Sequence, residues 1–174
     1  MSPHSMLLCL MLSVCIICPV MSCMWIKHKY LQHQTVSLHL IEKMGERIIK
    51  GHIGINPIPH ELLNNQKTAE PDKQLLFIIQ TLEEIAGLFE DAESAPWDHK
   101  IIDDFLNIIN EQINGLRSCG TFKMKRNKKL HLYFIRLRQM TEVKTEDSDK
   151  SWEIIRRRVI SLLKQLEFFS LHTL

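Results

Sequence analysis

The sequence predicts an all-α bundle of five long helices with a sixth, short one, and three observations lead to that fold class. Several stretches repeat apolar residues about every 3.6 positions, and none alternates as a half-buried strand does. Glycine and proline, at 6 each in 174 residues, are too few for a sheet protein rich in tight turns. The apolar share of 45% supports the core of one domain.

The first 22 residues are interpreted as a secretory signal peptide. Residues 6–21 contain no Asp, Glu, Lys or Arg, and their apolar centre at 7–18 is too short to span a bilayer. Pro19 follows, and Val20 and Ser22 stand at positions −3 and −1 of a cut before Cys23. A buried N-terminal helix is the alternative, but this stretch has no polar face. We therefore expect residues 23–174 to be secreted, with no membrane insertion after cleavage.

That cut changes the cysteine count from five to two. Cys9, Cys15 and Cys18 leave with the signal peptide, and Cys23 and Cys119 remain. In an oxidising compartment the two are expected to form a disulfide, the alternative being two free buried thiols. The bond would close a loop of roughly a hundred residues, which the chain-entropy model values at ~4 to 5 kcal/mol.

The first helix of the bundle is predicted over residues 25–49, with an imperfect apolar stripe. That stripe consists of Tyr30, Leu31, Leu38, Ile41 and Met44. Glycines and prolines at 51–59 then predict a loop, and a short helix is compatible with residues 60–66. The long segment before Pro71 would serve as a crossover that lets successive helices run parallel.

Two stretches after this loop have the clearest helical spacing. Pro71 opens the first, which runs to about residue 90. Its inward residues are predicted as Leu75, Ile78, Ile79, Leu82, Ile85, Ala86 and Phe89, and its outward ones as Gln80, Glu83, Glu84 and Glu90. Pro96 opens the second, over residues 97–119, with Asp98 near the positive end of the helix dipole. Its inward residues are predicted as Ile101, Ile102, Phe105, Ile108, Ile109, Ile113 and Leu116.

Two more helices complete the bundle. One covers residues 130–140 and the other residues 151–169, and a charged break at 142–150 separates them. Asp149 or Ser151 is predicted to cap the last helix. The inward residues are Leu130, Tyr133, Phe134, Leu137 and Met140 in the first, and Trp152, Ile155, Val159, Leu162, Leu163, Leu166 and Phe169 in the second.

No motif in the chain indicates an active site. The nine histidines are scattered, and residues 23–174 have no HExxH, CxxC, glycine-rich phosphate loop or GxSxG. A CxxC does occur at Cys15 and Cys18, but it lies inside the signal segment. The adjacent carboxylates Asp103 and Asp104 point about 100° apart on a helix, as on a solvated face. We expect no enzymatic activity, no cofactor and no metal.

Charge gives only local signals, since the formal net charge of +2 favours neither nucleic acid nor a membrane as partner. The basic connector at 123–129 is interpreted as a solvated loop, or as a contact with either an acidic glycan, which would be weak, or a receptor. The run Arg156 to Arg158 is either solvated or the edge of a partner-binding surface, because arginine is enriched at interface hot spots.

Several spaced segments resemble vertebrate type I interferons. The segments 88–89, 94–98, 105–106 and 112–119 are similar to that family's central helices, 151–156 to the start of its last helix, and 23–25 to its mature N-terminus. Many members have four cysteines. Here Lys150 precedes Ser151, and the first loop has no Cys, so the chain resembles the two-cysteine group of fish type I interferons.

The resemblance implies a helical cytokine bundle that bridges the two chains of a heterodimeric class II cytokine receptor and starts antiviral kinase–STAT signalling. Arg156 matches a family arginine that contacts the tighter-binding chain, and Arg157, Arg47 and Lys50 are weaker receptor-binding candidates. By the same analogy the first helix, first loop and last helix face that chain, and residues 60–66, 72–90 and 97–118 face the other. Two alternatives are another class II or long-chain helical cytokine and a secreted cationic helical defence protein.

Overall fold

The computed structural model describes residues 29–45, 59–119, 125–142 and 148–173, and these residues form helices and no strand. The first helix, α1, covers residues 29–44. The others are α2 (His60–Lys67), α3 (Pro71–Glu90), α4 (His99–Arg117), α5 (Lys128–Glu142) and α6 (Ser148–Thr173), with a 3-10 turn at Ala92–Ser94. The all-α prediction is confirmed, including the short helix before Pro71. The signal segment 1–22 and most of the predicted crossover lie outside the described residues.

The central helix of the bundle is α3, which contacts α2, α4, α5 and α6. Its predicted inward residues are all buried. Two of its predicted outward residues are buried as well, so that part of the prediction is wrong: Gln80 is 7% exposed and Glu84 9%. The reason is that residues 125–131 lie over this side of α3, where they hydrogen-bond both side chains.

Gln80 ties the segment before α5 to the central helix. Its Nε2 donates to the carbonyl of Lys125 at 2.8 Å, and its Oε1 accepts from the amide of Asn127 at 3.1 Å. The Oδ1 of Asn127 in turn accepts from the amide of Leu130 at 3.2 Å, in the first turn of α5. Because those amides lack helical partners, the Asn127 side chain caps α5, and Gln80 fixes where the helix begins.

Polar residues complete the imperfect stripe of α1. The buried positions of this helix are Tyr30, Gln34, Ser37, Ile41 and Met44, which recur every three or four residues. Gln34 Nε2 donates to the carbonyl of Leu163 on α6 at 2.6 Å, and Ser37 Oγ donates to the carbonyl of Gln34 at 2.9 Å. Burial raises the pKa of Tyr30, and the nearby Glu167 raises it further. The helix therefore docks on α6 partly through the amide of Gln34, whereas the Ser37 hydroxyl is paired within α1.

The start of α4 differs from the prediction by two residues. Asp98 is its N-cap, because Asp98 Oδ1 accepts from the amide of Lys100 at 2.9 Å. Trp97 lies outside the helix and joins the core: its ring is stacked 5.8 Å from Phe89 and meets Trp152 edge-on at 5.6 Å. Trp152 Nε1 also donates to Ser94 Oγ at 3.2 Å, so the α3–α4 connection is held against α6.

The last helix begins earlier than predicted. It starts at Ser148, so Asp149 and Ser151 lie within its first turn and cap nothing, contrary to the prediction. The predicted charged break is shorter than expected for the same reason, since α5 runs to Glu142 and residues 148–150 are helical. Lysine is a good helix former, and an acidic residue near the positive end of the dipole stabilises the turn.

Two buried glutamines give a matched test of this packing. The amide of Gln112 is 2% exposed and has no hydrogen-bond partner among the described residues, whereas Gln80 uses both amide atoms. Gln80→Leu should lower the free energy of unfolding by about 1 to 3 kcal/mol, because it leaves backbone groups unpaired. Gln112→Leu should leave it unchanged or raise it by up to about 1 kcal/mol. Urea titrations followed by circular dichroism measure both; equal losses would contradict the assignment.

Candidate functional site

Arg156 on α6 binds the end of α1. Its Nη1 donates to the carbonyls of Ile41 at 3.0 Å and Glu42 at 3.4 Å. These carbonyls belong to the last turn of α1 as described, and the last carbonyls of a helix commonly take partners from outside it. The guanidinium charge also stands at the negative end of the α1 dipole, which favours it. Arg156 is only 7% exposed, so it acts as a C-terminal cap supplied by another helix.

Glu153 neutralises that buried charge. Its carboxylate accepts from Arg156 Nε and Nη2, each at 2.7 Å, and from Arg157 Nε at 2.8 Å. Burial alone would raise the pKa of Glu153, but the hydrogen bonds from Arg156 and Arg157 outweigh it and hold that pKa below its ordinary value. Two parallel bonds between a guanidinium and a carboxylate are among the strongest polar contacts in proteins. The pair is therefore charged and fixed in geometry.

Gly45 lets this arginine approach α1. A Cβ at residue 45 would collide with the guanidinium of Arg156, so the guanidinium packs directly on the glycine backbone. No described residue has a positive φ, which means that Gly45 is needed for space and not for backbone conformation. We call Ile41, Glu42, Gly45, Glu153 and Arg156 the α1–α6 junction.

The other charged residues around the junction are more accessible. The side chain of Arg157 is 27% exposed, and Lys164 Nζ lies 3.2 Å from Glu42 Oε1 in an exposed ion pair across α6 and α1. Arg158 turns towards α5, where its Nη1 is 3.7 Å from Met140 Sδ. The three consecutive arginines thus have three different environments. The Lys164–Glu42 pair was not foreseen, because residues so far apart in the chain give no local signal.

Several predicted site residues lie beyond the described part of the chain: Cys23, Arg47, Lys50 and Lys123. Cys119 follows the end of α4, is partly buried and packs against the core. Within the described ranges no three His, Cys, Asp or Glu side chains converge as a metal site would require. None of the helices described has the length and apolar character needed to cross a bilayer.

Comparison with known proteins decides the family. Residues 26–171 match the model of the Interferon alpha/beta domain. The chain belongs to the interferon alpha/beta family. It is 32% identical to Interferon a3 of Oncorhynchus mykiss over 166 residues, which cover 95% of this chain and 91% of that protein. Its fold is similar to the solved structure of zebrafish interferon 1, with a TM-score of 0.72, 25% identity, and coverage of 86% of this chain and 99% of that one.

The family settles two questions that the sequence left open. The chain is a fish type I interferon, as the spaced segments indicated, and such interferons are cytokines and not enzymes. The alternatives of a different helical cytokine and of a cationic defence protein are therefore set aside. In this interferon the α1–α6 junction connects the two helices that the resemblance places against the tighter-binding receptor chain.

The junction predicts a pH-dependent stability. A carboxyl whose pKa is lowered on folding stabilises the fold above its unfolded pKa of about 4.3, and this contribution is lost as the pH falls through the folded value. Glu153→Gln should therefore lower the free energy of unfolding by about 3 kcal/mol at pH 7, because Arg156 loses its counter-charge. The difference from the wild type should begin to shrink below about pH 4, because the Glu153 carboxyl then binds a proton in the unfolded chain before it does so in the folded one.

The matched control is Glu90→Gln at the exposed end of α3, which should change stability by less than about 0.5 kcal/mol. Urea unfolding at a series of pH values measures both variants. A Glu153→Gln deficit of constant size from pH 7 down to pH 3 would contradict the charged pair.

Proposed function

We propose that this interferon is a secreted antiviral cytokine that bridges the two chains of a heterodimeric class II cytokine receptor. Bringing the chains together activates their associated kinases, then STAT signalling and interferon-stimulated genes. The observation that carries the proposal is family membership over residues 26–171 on a bundle whose helices are fixed to one another. A rigid bundle loses little freedom when it binds, so its surface is preorganised for two partners.

The receptor faces follow from the exposed parts of the helices. The tighter-binding chain is proposed to contact α1, the segment after it and α6. For the second chain we favour α2 and α4 over α3, because α3 is buried on nearly all sides and shows solvent mainly at its ends. Exposed charges on α4, such as Asp103 and Asp104, are available to set the rate of encounter.

Arg156 and Arg157 are proposed to support receptor binding in different ways. Arg156 is buried and already holds Glu153 and α1, so we assign it the positioning of the receptor-facing edge. Arg157 is more exposed and presents charge to the receptor. Arg47 and Lys50, in the segment that α1 leads into, are proposed as further contacts.

The proposal also covers how the chain is processed and what its basic connector binds. Residues 1–22 are cleaved as a signal peptide, the domain of residues 23–174 is secreted, and Cys23 pairs with Cys119. The basic connector 123–129 makes a weak contact with an acidic glycan.

The disulfide is tested by mass. Under non-reducing conditions the secreted chain should be two hydrogens lighter than the fully reduced form, because an oxidising compartment joins the two remaining cysteines. The first residue of the secreted chain should be Cys23, because the signal peptide is cut before it. Intact-mass and N-terminal peptide measurements report both. Two alkylatable thiols in the unreduced protein would contradict the pairing.

The cytokine function is tested on cells. Purified residues 23–174, applied to responsive fish cells, should induce antiviral transcripts.

The role of Arg157 is tested by binding. Arg157→Ala should raise the dissociation constant for one purified receptor chain about tenfold, which is about 1.4 kcal/mol. Lys125→Ala, outside the proposed faces, is the matched control. No induction in cells that respond to another fish interferon would contradict the function; equal effects of the two variants would remove Arg157 from the interface.

A further inference from the structure

A groove lies between α2, α3 and the segment that leads into α5. It has a volume of about 250 Å³ and a partly apolar floor of Ala69, Leu76 and Phe77. Its charged and amide side chains come from Asn65, Gln66, Lys73, Gln80, Lys125 and Asn127. Amide groups and lysines together provide donors for anionic and hydroxyl oxygens.

A second groove continues along the other half of α2. It lies between α2 and α5, has a volume of about 180 Å³ and is lined by Glu61, Lys129, Leu132 and Arg136 among others. Lys128, which is exposed, precedes Lys129 in the first turn of α5. We call Lys73, Lys125, Lys128, Lys129 and Arg136 the cationic edge.

The backbone of the cationic edge is held in place. Gln80 binds the carbonyl of Lys125 and the amide of Asn127, and Asn127 caps α5. A solvated loop would need no such anchoring from the central helix. Because the cations sit on a fixed backbone, an anionic ligand would meet them already arranged, which reduces the entropy lost on binding.

Much of this charge is available to a ligand. Lys73 lies 3.1 Å from Glu70, and Lys129 lies 3.6 Å from Glu61, but these four side chains are strongly exposed, and such pairs contribute little. Lys125 and Lys128 form no ion pair within the described part of the chain. A polyanion would therefore displace few interactions.

We propose that the cationic edge binds a sulfated glycosaminoglycan. The inference rests on the proposed secretion and deepens the proposed glycan contact: it names the class of glycan and extends the site to Lys73 and Arg136. Lysines match the separate sulfate charges of such a chain, since an ammonium is a point charge with three donors. At the five cations themselves, as distinct from the face of α2 proposed for the receptor, a protein partner is disfavoured, because interface centres are rich in large apolar and aromatic residues. Among the described residues next to these cations, only Leu132 is a large exposed apolar side chain.

The test uses purified residues 23–174, immobilised heparin and fully desulfated heparin. The wild type should bind heparin at 150 mM NaCl, lose affinity as salt rises, and ignore the desulfated polymer. Lys125→Ser/Lys128→Ser should raise the dissociation constant about tenfold or more, because each lysine near a polyanion contributes substantially. Both side chains are exposed, so the fold should persist by circular dichroism.

The matched control is Lys100→Ser/Lys150→Ser, which removes the same charge. These residues lie near the starts of α4 and α6, which meet at the Trp97–Trp152 contact. Trp97 also stacks on Phe89, which lies about 24 Å along α3 from Lys73. The control should change heparin affinity by less than threefold.

Three results would overturn the inference. The wild type could fail to bind heparin even at 50 mM NaCl, or the test and control variants could lose heparin affinity equally. In the third case, Lys125→Ser/Lys128→Ser would lose affinity for a purified receptor chain and keep its affinity for heparin. Heparin binding is measured without receptor or cells. A protein that binds heparin but induces no antiviral transcripts would therefore contradict the proposed cytokine function and leave the glycosaminoglycan site standing.

Discussion

The guanidinium of Arg156 is the interaction on which the α1–α6 edge depends. It caps the carbonyl end of α1, pairs with Glu153 on its own helix and packs on the backbone of Gly45. A charge at 7% exposure is costly unless every hydrogen-bonding position is used, and here the carboxylate and two carbonyls share that role. Removing any partner leaves a buried charge incompletely satisfied, so α1 and α6 are positioned together.

A second polar device orders the other side of the bundle. Gln80, on the central helix, pairs with backbone groups of Lys125 and Asn127 and so sets the start of α5. Apolar burial supplies most of the stability, but it is not directional, whereas these buried hydrogen bonds specify how helices align. Two of the proposed binding surfaces each rest on one such device: the face for the tighter-binding receptor chain on Arg156 and the cationic edge on Gln80.

The sequence predicted the helices well where apolar spacing was strong, as in α3 and α4. It predicted the inward residues of α3 fully and those of α4 except Ile101 and Ile108, which are only partly buried. It missed the buried polar positions Gln34, Ser37 and Gln80, because a polar residue is predicted to be exposed unless its partners are known. In the structure Gln34 and Ser37 complete the α1 stripe, and Gln80 lies under the segment before α5. Arg156 caps a helix that lies more than a hundred residues earlier in the chain, and a contact between such distant residues leaves no local sequence pattern. The resemblance pointed to Arg156, but burial and the partners in α1 required the structure.

Hydrogen exchange in Gly45→Ala tests the central claim most directly, because the added methyl group must displace Arg156 from the end of α1. The account predicts that the protection factors of the amides of residues 38–44 fall at least tenfold, which corresponds to about 1.4 kcal/mol. The protection factors of the α4 amides should stay unchanged. Gly115→Ala, where a Cβ meets nothing within 4 Å, should leave both helices protected. Unchanged protection of α1 in Gly45→Ala would contradict the claim that Arg156 holds this helix in place.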